Sequence, residues 1–221
     1  IIALWAFTFL IGLPISAVRS AIMLSIYCIT FILQREDKPF NALALSACII
    51  LVANPVALFD AGFQLSFMAV LGIAIIYSPL SSYWKPQLRP LRWAWELTCV
   101  SLAAQLFTLP LVLYYFGRVS PYFLLSNFVV IPATTGLLYL AIVLLVSTPI
   151  HGLQLLVYHL MLQIAQGMTA SMHGIVQLPG AQLPAIYTTL SQTILLYVAL
   201  FALVGAWYKL QAKREDAALL A

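Results

Sequence analysis

Asp60 and Gln64 are a carboxylate and an amide set four residues apart in an otherwise apolar run, NPVALFDAGFQLSFMAVLG, at residues 54–72. At that spacing both groups share one face of a helix. Beyond Ser66 the run stays apolar to Ile76, long enough to enter a bilayer. Polar groups at membrane depth are costly, so they mark a surface lined by protein or by water. Asp60 has a second reading, as the cap of a helix that starts at the water boundary. Gln64 lies deeper, where capping does not account for it.

Similar equipment recurs downstream. Thr98, Ser101, Gln105 and Thr108 step by three, four and three and so form a stripe. Ser126 and Asn127 precede Pro132, and Thr134 lies seven residues after Asn127. His159, Gln163, Gln166, Ala170, His173 and Gln177 again step by four and three, with Leu155, Leu156, Leu160, Leu162 and Ile164 expected opposite. This is an amphipathic helix without charge, suited to an interface, to a seam inside a bundle or to a wet lining. Taken singly, each polar residue reads most simply as an interhelical hydrogen bond. Three stripes combined with helix-breaking Pro55, Pro110 and Pro132 favour a hydrated path. Pro110 and Pro132 remove a backbone donor and free the carbonyls of Leu106 and Phe128, four residues earlier. Arg19, Asp60, Gln64, Ser66, Ser101, Gln105 and Asn127 are the candidates to line that path.

Reaction chemistry has no comparable foothold. There is no HxH, HExxH, GxSxG or glycine-rich phosphate loop. His159 and His173 share a face but stand about 21 Å apart along a helix axis, too far to share a metal. Asp60 and Glu96 are the only acidic residues near the membrane, and Glu96 sits by a basic loop. No catalytic residue, metal site or cofactor is expected, and an intramembrane enzyme would lack a dyad.

The solvent follows from composition. The chain is 64% hydrophobic and 7% charged, with a mean hydropathy of +1.04, against roughly 25% charged in soluble domains. Two hundred and twenty-one residues could not hide that much apolar surface from water. Apolar runs of about 20 residues imply helices and not barrel strands, because the backbone must satisfy itself in lipid. Cys28, Cys48 and Cys99 are scattered in apolar surroundings and read as buried hydrophobes. The chain opens at Ile1 inside an apolar run, as an excised piece would, so a missing signal sequence carries no information.

The expected fold is therefore all-α: a polytopic membrane bundle of about seven to eight helices with proline-broken segments and one amphipathic helix. The first helix ends at Gly12-Leu13-Pro14. A second, at 15–33, ends in the polar knot Gln34-Arg35-Glu36-Asp37-Lys38. Residues 41–53 are short of a span; the unit 39–59 crosses if Pro55 bends it, or re-enters. Helices follow at 62–77, 93–116 and 121–146, with a loop at 78–91. The amphipathic helix occupies 151–177, LPGAQLP makes a turn, and 185–208 is the last apolar span. Residues 1–208 form one membrane domain and 209–221 a charged tail.

Arg19 lies sixteen residues before Arg35, about 24 Å along a helix axis, so it falls toward the opposite side of a roughly 30 Å hydrocarbon core. It either snorkels to that surface or faces an aqueous interior; a third role is to hold the bundle through a buried partner such as Asp60. If every unit crosses, the loops at 34–39 and 79–92 and the tail share one side. They carry Arg35, Lys38, Lys85, Arg89, Arg92, Lys209, Lys213 and Arg214, eight of the ten basic residues. The positive-inside rule puts that side in the cytoplasm, and it argues against re-entry of 41–59.

Several blocks resemble the ComEC family of bacterial competence proteins. Asn54-Pro55, Phe59-Asp60 and Gly62-Phe63-Gln64-Leu65-Ser66-Phe67 look like that family's central signature. So do Ser101-Leu102-Ala103-Ala104-Gln105, Thr108-Leu109-Pro110, Tyr114-Tyr115-Phe116-Gly117, Ser126-Asn127 and Ile131-Pro132. Residues 17–23, AVRSAIM, are similar to its arginine-bearing helix. The resemblance runs from about residue 14 to 146; beyond 150 it rests on hydropathy. It implies a multi-pass bacterial inner-membrane channel that passes single-stranded DNA to the cytoplasm during natural transformation. It also implies an upstream oligonucleotide-binding-fold domain, a DNA receptor and a cytoplasmic uptake motor as partners beside the lipid bilayer, and it leaves room for a homo-oligomer. Relatives often carry a metallo-β-lactamase-like nuclease domain, which this segment lacks, so no enzyme activity is expected of it. The rival reading is a small-solute or lipid-linked-precursor transporter, which would call for internal repeats that are not evident.

The topology predicts that single cysteines at Ser82 and Asp216, in a cysteine-free background, resist an impermeant thiol reagent in intact cells. Labelling of either before permeabilisation would overturn the assigned direction.

Overall fold

The computed structural model describes residues 1–32, 39–84, 86–146, 151–180 and 187–219. The knot at 34–38, Lys85 and part of the expected turn at 178–184 lie outside that set. All regular structure among the described residues is helical: α1 (Ile2–Leu10), α2 (Ile15–Ile32), α3 (Pro39–Ala53), a 3-10 turn (Pro55–Phe59), α4 (Ala61–Ser82), α5 (Arg89–Phe116), α6 (Phe123–Val146), α7 (His151–Val176) and α8 (Leu190–Leu219). Four segments are long and apolar enough to cross a membrane: Ala61–Ser82, Arg89–Phe116, Phe123–Leu144 and Leu190–Leu210. Ile15–Thr30 and Phe40–Ala53 are apolar but shorter.

The breaks fall where local chemistry supplies replacement hydrogen bonds. α1 ends with Gly12 at φ +83°, where the Gly12 N–H bonds Phe9 O and the Leu13 N–H bonds Thr8 O. This is a Schellman closure, and the left-handed position suits glycine. The expected single bent unit at 39–59 is instead two elements. Asn54 leaves the helix at φ −148°, ψ 95°, its side chain accepts from the Val56 N–H, and Pro55 opens the 3-10 turn. α3 by itself is about 22 Å long.

Elsewhere proline does not break the helix. α4, α5 and α6 run through Pro79, Pro110 and Pro132 without interruption. The loop expected from residue 78 is thus the last turn of α4, and α5 starts at Arg89. A proline costs one backbone bond and a clash with the carbonyl four residues back. In lipid the remaining bonds have no water to compete with them, so the helix persists. The charged residues from Lys209 to Asp216 continue the helix of α8.

The chain divides into two compact units. The first comprises Ile1–Tyr83, Ala103–Gly117 and Tyr187–Ala221; the second comprises Trp84–Leu102 and Arg118–Ile186. In the first, the Trp5 indole N–H donates to Ser25 Oγ at 3.1 Å, joining α1 to α2. Ile50, Ala57 and Phe63 are buried together beneath Ile22 and Phe67. A second cluster centres on Ile76, Ala103 and Phe107, covered by Leu200, Val204 and Trp207 of α8. The Phe107 and Phe201 rings meet edge to face at 5.7 Å, an arrangement the ring quadrupole favours.

In the second unit α6 and α7 pack together. The Tyr122 hydroxyl, just before α6, donates to Pro179 O, just after α7, at 2.9 Å. The two ends of the pair are thereby closed on each other. The inward face of α7 is Val157, Met161, Ile164, Met168, Met172 and Ile175. Of the five residues expected there, only Ile164 belongs; Leu155, Leu156, Leu160 and Leu162 are exposed. At 3.6 residues per turn, Leu155 and Leu162 come round to the side of His159 and Gln166. The polar stripe from His159 to Gln177 is exposed along its length.

Lipid tails are as apolar as leucine, so close packing, not exclusion of water, selects these helix contacts. Gly72 is the tightest case: a Cβ there would stand 2.5 Å from Ala103 O and 2.8 Å from Phe107 Cβ. Gly72→Ala should destabilise the fold by about 1–3 kcal/mol, read by reversible denaturant titration. Gly136→Ala, where nothing lies within 4 Å, should be neutral or slightly stabilising through helix propensity. Equal behaviour of the two variants would refute the close α4–α5 contact.

Candidate functional site: polar side chains at membrane depth

The start of α4 collects the polar residues of the first unit. Arg19 of α2 donates from Nη1 to Asp60 Oδ2 at 2.7 Å. The same oxygen accepts the Phe63 N–H at 3.0 Å. Asp60 therefore caps α4, as one sequence reading has it, and also pairs with a cation. Arg19 meets this carboxylate, the third of the roles read for it from the sequence. It is buried, while the Asp60 side chain is nearly half exposed (11% against 46%). Gly62 makes the room, since a Cβ there would stand 2.9 Å from Arg19 Nη2. Arg19 Nε is buried without a partner, so the guanidinium leans on a single carboxylate oxygen.

Asp60 precedes the first residue of the α4 span. Burial pushes its carboxyl up. The Arg19 hydrogen bond, the N–H groups of Phe63 and Gly62, and the Arg19 charge together outweigh that and hold it below the ordinary 3.8. A depressed carboxylate contributes stability above the unfolded pKa and loses it as pH falls through the folded one. The contribution is thus complete at neutral pH and is withdrawn only in acid.

Gln64 is fully engaged. Its Oε1 accepts from the Tyr115 hydroxyl at 3.0 Å, and its Nε2 donates to Leu58 O at 2.9 Å. One amide thus ties the 3-10 turn to the end of α5. Ser66 bonds Phe63 O in its own helix. Gln105 differs from both: it is half-buried, and no hydrogen bond to its side chain exists among the described residues. In the second unit Asn127 Nδ2 donates to buried Ser101 Oγ at 3.0 Å, which joins α6 to the first half of α5. Thr98, Thr108 and Thr134 all bond carbonyls of the preceding turn. No group of three metal-ligating side chains occurs among the described residues.

The structure thus pairs Arg19 with Asp60 and Ser101 with Asn127, occupies Gln64 at both ends and leaves the Gln105 amide free. Gly62 and Tyr115 were missed as polar-site residues. Tyr115 sits in an aromatic block that reads as packing, and nothing local shows that its hydroxyl meets an amide 51 positions away.

An all-helical chain with four membrane-length apolar helices and internally paired polar groups is a polytopic membrane protein. It belongs to the competence protein family, whose model, Competence protein, matches residues 1–210. Over 129 residues it is 35% identical to ComE operon protein 3 of Bacillus subtilis (strain 168). That match covers 58% of this chain and 16% of the relative, so the chain corresponds to a small part of that protein. No solved structure matches.

Removing one member of the Arg19–Asp60 pair should cost more than removing both. Asp60→Asn keeps a capping oxygen but leaves a buried guanidinium without a counter-charge. A loss of about 2 kcal/mol is expected, below the 3–5 of a fully buried pair because Asp60 is partly exposed. Adding Arg19→Gln should recover part of it. Additive losses in denaturant titration would show that the two residues act independently.

Proposed function

We propose that this chain is the membrane channel of a DNA-uptake protein, passing one strand of incoming DNA into the cytoplasm during natural transformation. The observation that carries this reading is the competence-family match over residues 1–210, a stretch made mostly of apolar helix. The part of the family that this chain corresponds to is its membrane part.

The polar chemistry supports transit more than retention. Proteins that hold single strands combine basic grooves with stacking aromatics. Here Arg19 is already neutralised by Asp60, and the remaining polar side chains at depth are neutral. A lining that binds weakly lets a strand leave as readily as it enters. Gln105 is the residue we assign to that lining, because its amide alone among the candidates is half-buried and unengaged. Gln64, Ser101 and Asn127 serve instead to hold helices together. The basic-residue count supports a cytoplasmic side for the connection between α4 and α5 and for the end of α8, and a bacterial cytoplasmic membrane as the location. An oligonucleotide-binding domain, a DNA receptor and an uptake motor would supply capture and force from outside this segment.

Leu substitutions in the whole protein, expressed in a transformable host, separate these roles. Gln105→Leu should leave the amount of folded protein unchanged and reduce strand entry several-fold per folded molecule. Gln64→Leu orphans the Leu58 carbonyl and the Tyr115 hydroxyl, and should lower the folded amount first. Normal entry in Gln105→Leu removes Gln105 from the path. Normal entry in a host lacking this membrane segment would defeat the channel reading itself.

A further inference from the structure

Pro79 lies inside α4, and its missing N–H deprives the carbonyl four residues back, that of Ile75, of its helical partner. That carbonyl is not left empty. The hydroxyl of Tyr208, on α8, donates to Ile75 O at 2.7 Å. A parallel arrangement occurs on α5, where Pro110 disturbs the turn containing Leu106 and Phe107. There the hydroxyl of Tyr197, also on α8, donates to Phe107 O at 2.9 Å.

Tyr197 and Tyr208 are eleven residues apart, close to three full helical turns, so they project from one face of α8 about 16 Å apart along its axis. Between them Leu200, Val204 and Trp207 pack on the cluster of Ile76, Ala103 and Phe107. One helix therefore delivers two hydroxyl donors to the proline-containing turns of two others. Each bond is interhelical, and all partners belong to the first unit.

We infer that α8 is a strap that holds α4 and α5 straight at their proline positions, with Tyr208 and Tyr197 as its two fasteners. A carbonyl freed by proline in lipid must find a donor or let its helix bend until one is reached. Tyr208 supplies that donor to the Ile75 carbonyl from outside the helix, and Tyr197 adds a second bond at Phe107 O, next to the Leu106 carbonyl that Pro110 frees. Rotation or withdrawal of α8 would withdraw both at once, and α4 and α5 would become hinged together. The strap thereby sets the posture of α5, whose Gln105 lies one turn before Pro110. These hydrogen bonds fasten the helices whether or not the chain carries DNA.

The test turns on a property peculiar to Pro79: replacing it by Ala restores an N–H to the Ile75 carbonyl and makes Tyr208 redundant. The whole protein, with Cys28, Cys48 and Cys99 replaced by Ala, carries spin labels at Ser82→Cys and Ala206→Cys in lipid nanodiscs. Tyr208→Phe should broaden the distance distribution between α4 and α8 severalfold. In a Pro79→Ala background the same change should leave the distribution narrow. Equal broadening in both backgrounds would reduce Tyr208 to a packing residue and overturn the strap, as would no broadening in either. Should Tyr208→Phe fail to accumulate, Pro79→Ala must restore its level; failure to do so also refutes the inference. Tyr197→Phe is the companion variant, and it should broaden a Val112→Cys to Leu195→Cys distance in the same way.

Discussion

Lipid offers no hydrogen bonds, and every polar group placed in it must find its partner inside the protein. Most of the local structure follows from that constraint. Hydroxyls of Thr98, Thr108 and Thr134 turn back onto their own helices. α1 closes before α2 with the Thr8 and Phe9 carbonyls of its last turn already satisfied. Asn54 and Asp60 cap the two elements that interrupt an otherwise apolar stretch. Buried side-chain atoms left without a partner, among the described residues, are Arg19 Nε and Trp95 Nε1.

The same constraint shapes electrostatics. A buried guanidinium is tolerable only beside an acceptor, and Arg19 has Asp60 at 2.7 Å. That pair sits where α2 meets the start of α4, beside a glycine that leaves space for it. The pair is thus an architectural contact that joins α2 to the start of α4. The passage proposed here, built from neutral amides and hydroxyls, would interact with a strand through many weak, replaceable bonds.

Composition and periodicity were enough to read the solvent, the all-helical class and most helices, because these depend on each segment alone. Polar residues that matter were also visible as interruptions of apolar runs. Their partners mostly were not, the Arg19–Asp60 pair excepted, which was one of three readings of Arg19. Arg19 and Asp60 are 41 positions apart, Gln64 and Tyr115 are 51, Tyr208 and Ile75 are 133. Helical spacing gives a side chain's face but never the neighbour that face will meet. Pro79 illustrates the cost: a proline reads as a stop unless the distant hydroxyl that relieves it is known. On α7 the leucines misled for a simpler reason, since they are spread round the helix, whereas methionines and β-branched residues make the contact.

The closed α6–α7 pair bears on biogenesis. α6 is apolar enough to enter a bilayer by itself, whereas α7 is long enough but too polar to be counted with it. Packing on α6, with Tyr122 fastened to Pro179, would let α7 partition as half of a hairpin and not as a solitary segment. Translation order suits this, because α6 emerges first and can wait at the translocon for its more polar companion. Lengthening the short connection between them would weaken that escort and leave α7 to choose between bilayer and water unaided.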